Sequence, residues 1–183
     1  MKEFIYPEML VHVAVCTHKE PKNVLVISNE TAGIEAEIAR HSDVSTQIIS
    51  PDNVLDSLRD VEDNSIDIVL SEAKSDPAVE AHINRVLNEK GLVVCNHPGL
   101  EEVEANKSLL GILGKYYKIL MPYNVGTGET LLLGSKEYHP TADIILHRTD
   151  MLDGQSYYNC DVHPAAFAMP NYIRKEYFGI IRN

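Results

Sequence analysis

The segment from Lys22 to His41, KNVLVISNETAGIEAEIARH, changes its hydrophobic period along its length, and that change restricts the chain to a few folds. Lys22 to Ile27 is a short β-branched apolar run, Ser28 to Gly33 is polar, and Ile34, Ile38 and Ala39 recur at helical spacing. The pattern is strand, turn, helix. In a doubly wound sheet such a first unit is central, and its turn lies at the carboxyl end of the strand, where open α/β sheets bind ligands. A nucleotide-binding turn is glycine-rich, because glycine lets the backbone approach a ligand closely and adopt positive φ. Only Gly33 is present here.

The same alternation continues along the chain. Upstream, Glu3 to Val15 carries Met9, Leu10, Val13 and Ala14 on one face, with Pro7 suited to the first helical position and Glu8 to the first turn. His18 to Lys22 breaks that opening helix. Val44 to Ile49 is a second strand, Pro51 to Asp60 a helix with Val54, Leu55 and Leu58 inward, and Ser65 to Ser71 a third strand. Ala78 to Leu87 is a helix, Asn88 to Gly91 a turn and Leu92 to Asn96 a strand. Alternating strands and helices imply a parallel sheet covered on both faces. Beyond His97-Pro98-Gly99 the pattern predicts a long helix over Leu100 to Tyr117. Strands follow at Tyr116 to Met121 and Glu129 to Ser135, joined by a loop with Pro122, Gly126 and Gly128, which suggests an antiparallel edge. Weaker periodicity then predicts a helix near Ala142 to His147 and a helical tail after Asp161, interrupted at Pro170.

A chain of 183 residues can bury a real core as one domain, here an opening helix over 3–15, a core over 22–136 and a tail over 138–183. No apolar run approaches the roughly 20 residues needed to span a bilayer, and Met1 to Tyr6 shows no signal-peptide pattern, so a cytoplasmic location is expected. Cys16, Cys95 and Cys160 are odd in number, far apart and expected to be free buried thiols. The net charge of −11 comes without any basic patch, which argues against nucleic-acid and membrane partners and favours cationic small molecules. Dispersed histidines without an HExxH pattern give no metal site, and neither a G-x-S-x-G elbow nor a Walker loop occurs.

Three stretches resemble the spermidine synthase family, the aminopropyltransferases. Tyr157 to Pro170, YYNCDVHPAAFAMP, is similar to that family's closing segment; Glu3 to His12, EFIYPEMLVH, resembles its opening helix; His18 to Ile27 resembles the stretch running into its first strand. The resemblance covers nearly the whole chain and implies a Rossmann-like, methyltransferase-type α/β fold. It also implies aminopropyl transfer from decarboxylated S-adenosylmethionine, a co-substrate and not a tightly bound cofactor, to putrescine, with spermidine as a related ligand and a homodimer expected. The family's amino-terminal β-domain has no expected counterpart, since the sequence starts almost at the opening helix.

The departures from the family pattern fall on the pocket. The glycine turn appears as Ser28-Asn29-Glu30-Thr31-Ala32-Gly33, the ribose-binding acid falls at Ser50, and the donor-holding His or Gln falls at Pro7. A helix and a strand are missing between Asp52 and Ile66. The family's Asp-Ser-(Ser/Thr)-Asp-Pro segment corresponds to Glu72-Ala73-Lys74-Ser75-Asp76-Pro77, with one residue inserted. Asn29, Gly33 and Ser50 are therefore the candidate donor contacts.

An amine with a pKa near ~10 must lose a proton before it attacks carbon, so the reaction calls for a carboxylate beside the nucleophile. Glu72, Asp76 and Tyr6 are the catalytic candidates, and Tyr123, Glu8 and Tyr157 complete the amine contacts. Each has a structural alternative. Glu72 also suits a solvated acid at a strand end, Asp76 before Pro77 a helix cap, Tyr6 and Tyr123 core or rim, and Tyr157, Tyr158 and His163 anchoring of the tail. A homologue that has lost transfer and binds polyamines in a regulatory role is the second expectation.

Overall fold

A computed structural model describes residues 2–183. Six strands form one sheet in the order β2-β1-β3-β4-β6-β5. They are β1 (Asn23–Ile27), β2 (Ser45–Ile49), β3 (Ile66–Ser71), β4 (Leu87–His97), β5 (Ile119–Asn124) and β6 (Thr130–Ser135). The first four run parallel, while β6 is antiparallel to both β4 and β5. The predicted α/β sheet with an antiparallel edge is the observed one.

Two apolar layers follow from the alternation of side chains along these strands. Val24, Val26, Ile68 and Val94 face α1 (Ile5–Thr17) and α2 (Ala32–Ile38). Leu25, Ile27, Val69 and Cys95 face α3 (Val54–Arg59), α4 (Pro77–Val86) and α5 (Val103–Leu113). Helix α1 is apolar nearly all round, and Met9 to Cys16 are completely buried. Such a helix belongs to a core and not to a surface.

Strand β2 is different. Four of its five residues are exposed, because no strand or helix lies beyond it. The short path from β2 through α3 to β3 brings β3 directly beside β1, as expected from the missing helix and strand. β5 closes the other margin, and it contains Pro122, which the sequence had suggested was loop. The Leu120 N–H points outward to Arg182 O, and Pro122, two residues on, faces the same side, where the absent N–H costs no ladder bond.

Other boundaries moved for identifiable reasons. The predicted turn at Asn88 to Gly91 is the first part of β4, with an irregularity in its pairing to β3 between Ile66 and Ile68. α5 is shorter than predicted, ending at Leu113 before Gly114. The helix near Ala142 lies later, as α6 (Leu146–Asp150), and the tail forms α7 (Val162–Ala166) and α8 (Asn171–Glu176) on either side of Pro170. All three cysteines are free, with Cys16 and Cys95 buried and Cys160 partly so. Among the described residues no helix is long and apolar enough to cross a membrane.

Candidate active site

At the carboxyl ends of β1, β3 and β4 the sequence-predicted Glu72 and Tyr6 come together with Asn96. The backbone extends β3 by one bond, Glu72 N–H to Ile27 O at 2.9 Å, which holds the Glu72 side chain over the end of β1. Its Oε2 accepts from the Ser28 hydroxyl, and that hydroxyl in turn accepts from Glu30 N–H at 2.9 Å. One serine thus ties the turn after β1 to the carboxylate. Tyr6, in the first turn of α1, donates its hydroxyl to Asn96 Oδ1 at 2.9 Å. Burial, reinforced by the Glu72 charge, raises the Tyr6 pKa and keeps the phenol protonated.

A cavity of about 700 Å³ opens beside this cluster, walled by Tyr6, Pro7, Asn29, Thr31, Gly33 and Glu72. The turn that lines it is held by side chains where a nucleotide-binding turn uses glycines. Ser50, predicted as a donor contact, donates to Asn29 Oδ1 at 2.9 Å and accepts from Asp52 N–H at 3.2 Å. Asn29 Nδ2 reaches Asp52 Oδ2 at 3.5 Å, so the carboxylate next to the turn is Asp52, two residues past the expected place. Gly33 lies within the first turn of α2, not in the loop, and a Cβ there would stand 3.4 Å from Pro7 Cγ. Its role is the close approach of α1 and α2 at the cavity wall.

Three predicted contacts are corrected by their surroundings. Tyr123 is fully buried, and its hydroxyl donates to Met9 O at 3.1 Å, so it joins β5 to α1 inside the core and meets no cavity. Glu8 is 2% exposed and accepts from three successive N–H groups, Ser156, Tyr157 and Tyr158, at 2.7–2.8 Å. It is a buried anion satisfied by backbone, holding the tail segment to α1. Tyr157 places its hydroxyl against Gly126, in the loop between β5 and β6, away from the Glu72 cavity. Gly126 has φ of +91°, and a Cβ there would fall 2.1 Å from the Tyr157 hydroxyl, so both conformation and space require glycine.

Asp76 is the N-cap of α4, its Oδ1 accepting from Ala78 N–H at 2.8 Å and Val79 N–H at 3.0 Å, with Pro77 at the first helical position. One carboxylate oxygen is committed to that cap. Sequence reasoning missed Asn96 and Asp52. The signal for Asn96 was its position as a polar residue ending a buried strand, at the same level as Glu72.

A different cleft, of about 590 Å³, lies at the opposite end of the strands. Its Asp67 accepts from Lys22 N–H, Asn23 N–H and Asn88 Nδ2, which is loop anchoring. Among the described residues no group of three or more His, Cys, Asp or Glu is placed to hold a metal ion.

The fold has close counterparts. Residues 3–61 match the Spermine/spermidine synthase domain. The polyamine aminopropyltransferase of Helicobacter acinonychis is 24% identical over 204 residues, covering 95% of this chain and 78% of the relative. That of Bacillus subtilis is 27% identical over 216 residues, covering 93% and 77%. Over most of its length the chain is thus similar to polyamine aminopropyltransferases. The crystal structure of Thermotoga maritima spermidine synthase superposes with a TM-score of 0.82 at 22% identity, over 95% of this chain and 74% of that one. A spermidine synthase in complex with the transition-state analogue AdoDATO gives 0.83 at 21% identity, over 95% and 75%. At these identities the superpositions establish the fold, a methyltransferase-type sheet.

Proposed function

We propose that this chain is an aminopropyltransferase of polyamine metabolism, moving an aminopropyl group from decarboxylated S-adenosylmethionine to a polyamine acceptor such as putrescine. The observation that carries the reading is the Glu72 carboxylate at the carboxyl ends of β1 and β3, with Tyr6 and Asn96 beside it and a cavity at its flank. The family relatives named polyamine aminopropyltransferase support it.

The reaction is a direct displacement. A neutral amine forms a C–N bond to the carbon next to the sulfonium, the C–S bond breaks, and its electron pair stays on sulfur, leaving methylthioadenosine. The attacking nitrogen then carries an extra proton, which Glu72 accepts for release to solvent. The carboxylate also orients the ammonium before deprotonation, while the Tyr6 hydroxyl and Asn96 amide fix the acceptor by hydrogen bonds. Asn29 lines the cavity where the donor nucleoside would be held, and Ser50 and Asp52 stand behind it, hydrogen-bonded to its side chain, with Asp52 supplying the charge that Ser50 lacks. Gly33 allows the α1–α2 approach that shapes this wall. Asp76 contributes its remaining oxygen to the negative field at the cleft.

The test is calorimetric titration with decarboxylated S-adenosylmethionine and methylthioadenosine, followed by a turnover assay with putrescine. Nucleoside binding and methylthioadenosine release are expected. Glu72→Gln should lower turnover by roughly 10²- to 10⁴-fold while leaving methylthioadenosine affinity nearly unchanged. No nucleoside binding and no product would overturn the reading.

A further inference from the structure

A third cleft lies at the amino ends of the strands, away from Glu72. It measures about 300 Å³ and sits between the 40–44 loop after α2 and the end of α6, with Pro21 and Val44, just ahead of β1 and β2, in its lining. The chain carries a net charge of −11, yet Arg40, His41 and Arg148 line this cleft and no Asp or Glu does.

Arg148 is held by three backbone carbonyls. Its Nη1 donates to Val15 O and to His18 O at 2.7 Å, and its Nη2 donates to Lys19 O at 2.9 Å, which leaves Nε without a partner. Carbonyls fix the guanidinium without neutralising it, and among the described residues no carboxylate forms an ion pair with it. Arg40 gives Nε to Glu37 and Nη1 to Asp153 O, both at 2.7 Å, and keeps Nη2 free. Two oriented guanidiniums with unused donors suit an oxyanion.

The histidines determine which oxyanion. Burial lowers the His12 pKa to about 4, so its ring is neutral. Glu37 only accepts, so His12 Nε2, 3.0 Å from that carboxylate, carries the proton and His12 Nδ1 the lone pair. His41 Nε2, 2.9 Å from His12 Nδ1, must then donate. Burial first, then His12 and Arg148, lower the His41 pKa to about 3, so this ring is neutral too and its Nδ1 keeps a lone pair. That nitrogen makes no hydrogen bond and, unlike either ring nitrogen of His97, is not sealed from solvent. The cleft therefore presents two cations and one acceptor.

We propose that this cleft binds a phosphate group that retains a proton, its P–O⁻ oxygens accepting from Arg40 and Arg148 and its P–OH donating to His41 Nδ1. Inorganic phosphate keeps a hydroxyl at neutral pH, whereas sulfate, of the same shape, has none. A site whose acceptor faces the anion rejects sulfate, because two sets of lone pairs are left opposed. Val15, Val44 and Leu152 supply an apolar side that lowers the local dielectric and strengthens both ionic contacts. The site lies at the opposite end of the sheet from Glu72, so its failure would leave aminopropyl transfer untouched.

Calorimetric titration of the full chain with inorganic phosphate and with sulfate, at matched ionic strength, tests this. Phosphate should bind, and sulfate should bind roughly ten- to hundredfold more weakly, the value of one hydrogen bond lost at a charged group. Met151 stands at the cleft with 70% of its surface exposed, so substitution there leaves the core intact. Met151→Glu sets a carboxylate against the anion and should weaken phosphate binding roughly tenfold or more, whereas the neutral Met151→Gln should retain it. Both variants should unfold at the same temperature in phosphate-free buffer. Phenyl phosphate at about pH 6, where a monoester keeps part of its second proton, separates two sources of the group. Tighter binding than inorganic phosphate assigns the site to a phosphate ester and weaker binding to the free ion, and either supports it. Equal affinity for phosphate and sulfate would overturn the role of His41. No phosphate binding, or binding unchanged in Met151→Glu, would overturn the site.

Discussion

Tyr123 and Glu8 show how the same residue type serves binding or architecture according to what surrounds it. Both are residue types suited to an amine, yet the Tyr123 hydroxyl is spent on Met9 O and the Glu8 carboxylate on three backbone N–H groups. Tyr123→Phe removes one neutral hydrogen bond and should lower stability by about 1 kcal/mol, with the KM for the amine unchanged. A rise in that KM would return Tyr123 to the site. Glu8→Ala strands three buried donors and should cost about 3 kcal/mol or more, visible as a lower urea midpoint and faster proteolysis near residues 155–158. Glu72 differs because it stands, with Tyr6, at a cavity wall.

Among the elements, α4 illustrates a conflict between capping and chemistry. Asp76 caps it, Pro77 starts it, and a cleft borders the segment just before it. Asp76→Asn keeps a cap acceptor and removes the charge, whereas Asp76→Ala removes both. The alanine variant should lose about 1 kcal/mol of stability and the asparagine variant little, as read by thermal unfolding. Equal loss of turnover in the two would then report the charge, separately from the helix. At the margin of the sheet, β2 is exposed because the connection through α3 returns at once to β3. That short connection also leaves the turn held by Asn29, Ser50 and Asp52 without a further strand beside it.

The whole molecule carries a pH dependence set by buried histidines. Burial lowers the pKa of His12, His18, His97 and His163 to about 4 and that of His41 to about 3, against an unfolded value near 6.5. In the native state His12 bonds His41 at 2.9 Å and Glu37 at 3.0 Å, a pattern that a neutral ring satisfies by donating to Glu37 and accepting from His41. The unfolded chain binds more protons than the folded one between about pH 4 and 6.5. Stability is therefore present above pH 6.5 and lost as pH falls toward 4. Glu80 opposes this, since burial raises its pKa to about 7 and its contribution is lost as pH rises through that value. Five histidines outweigh one carboxyl, so the urea midpoint should drop steadily from pH 7 to 5. A flat profile would mean that the histidines titrate normally.

Sequence alone determined the order of strands and helices, because apolar period and turn residues are local properties. Lys22 to His41 fixed the first unit, and Tyr157 to Pro170 carried the family resemblance. The position of Glu72 at a strand end was legible for the same reason. Only the tertiary structure decided which polar residues were free to bind. Glu8 and Tyr123 look available until their partners, more than a hundred residues away, consume their hydrogen-bonding capacity. His97 looks like a loop residue until β4 extends to include it and buries its ring nitrogens without a partner. Local pattern determines where a side chain begins, and the packing of distant segments determines what remains for it to bind.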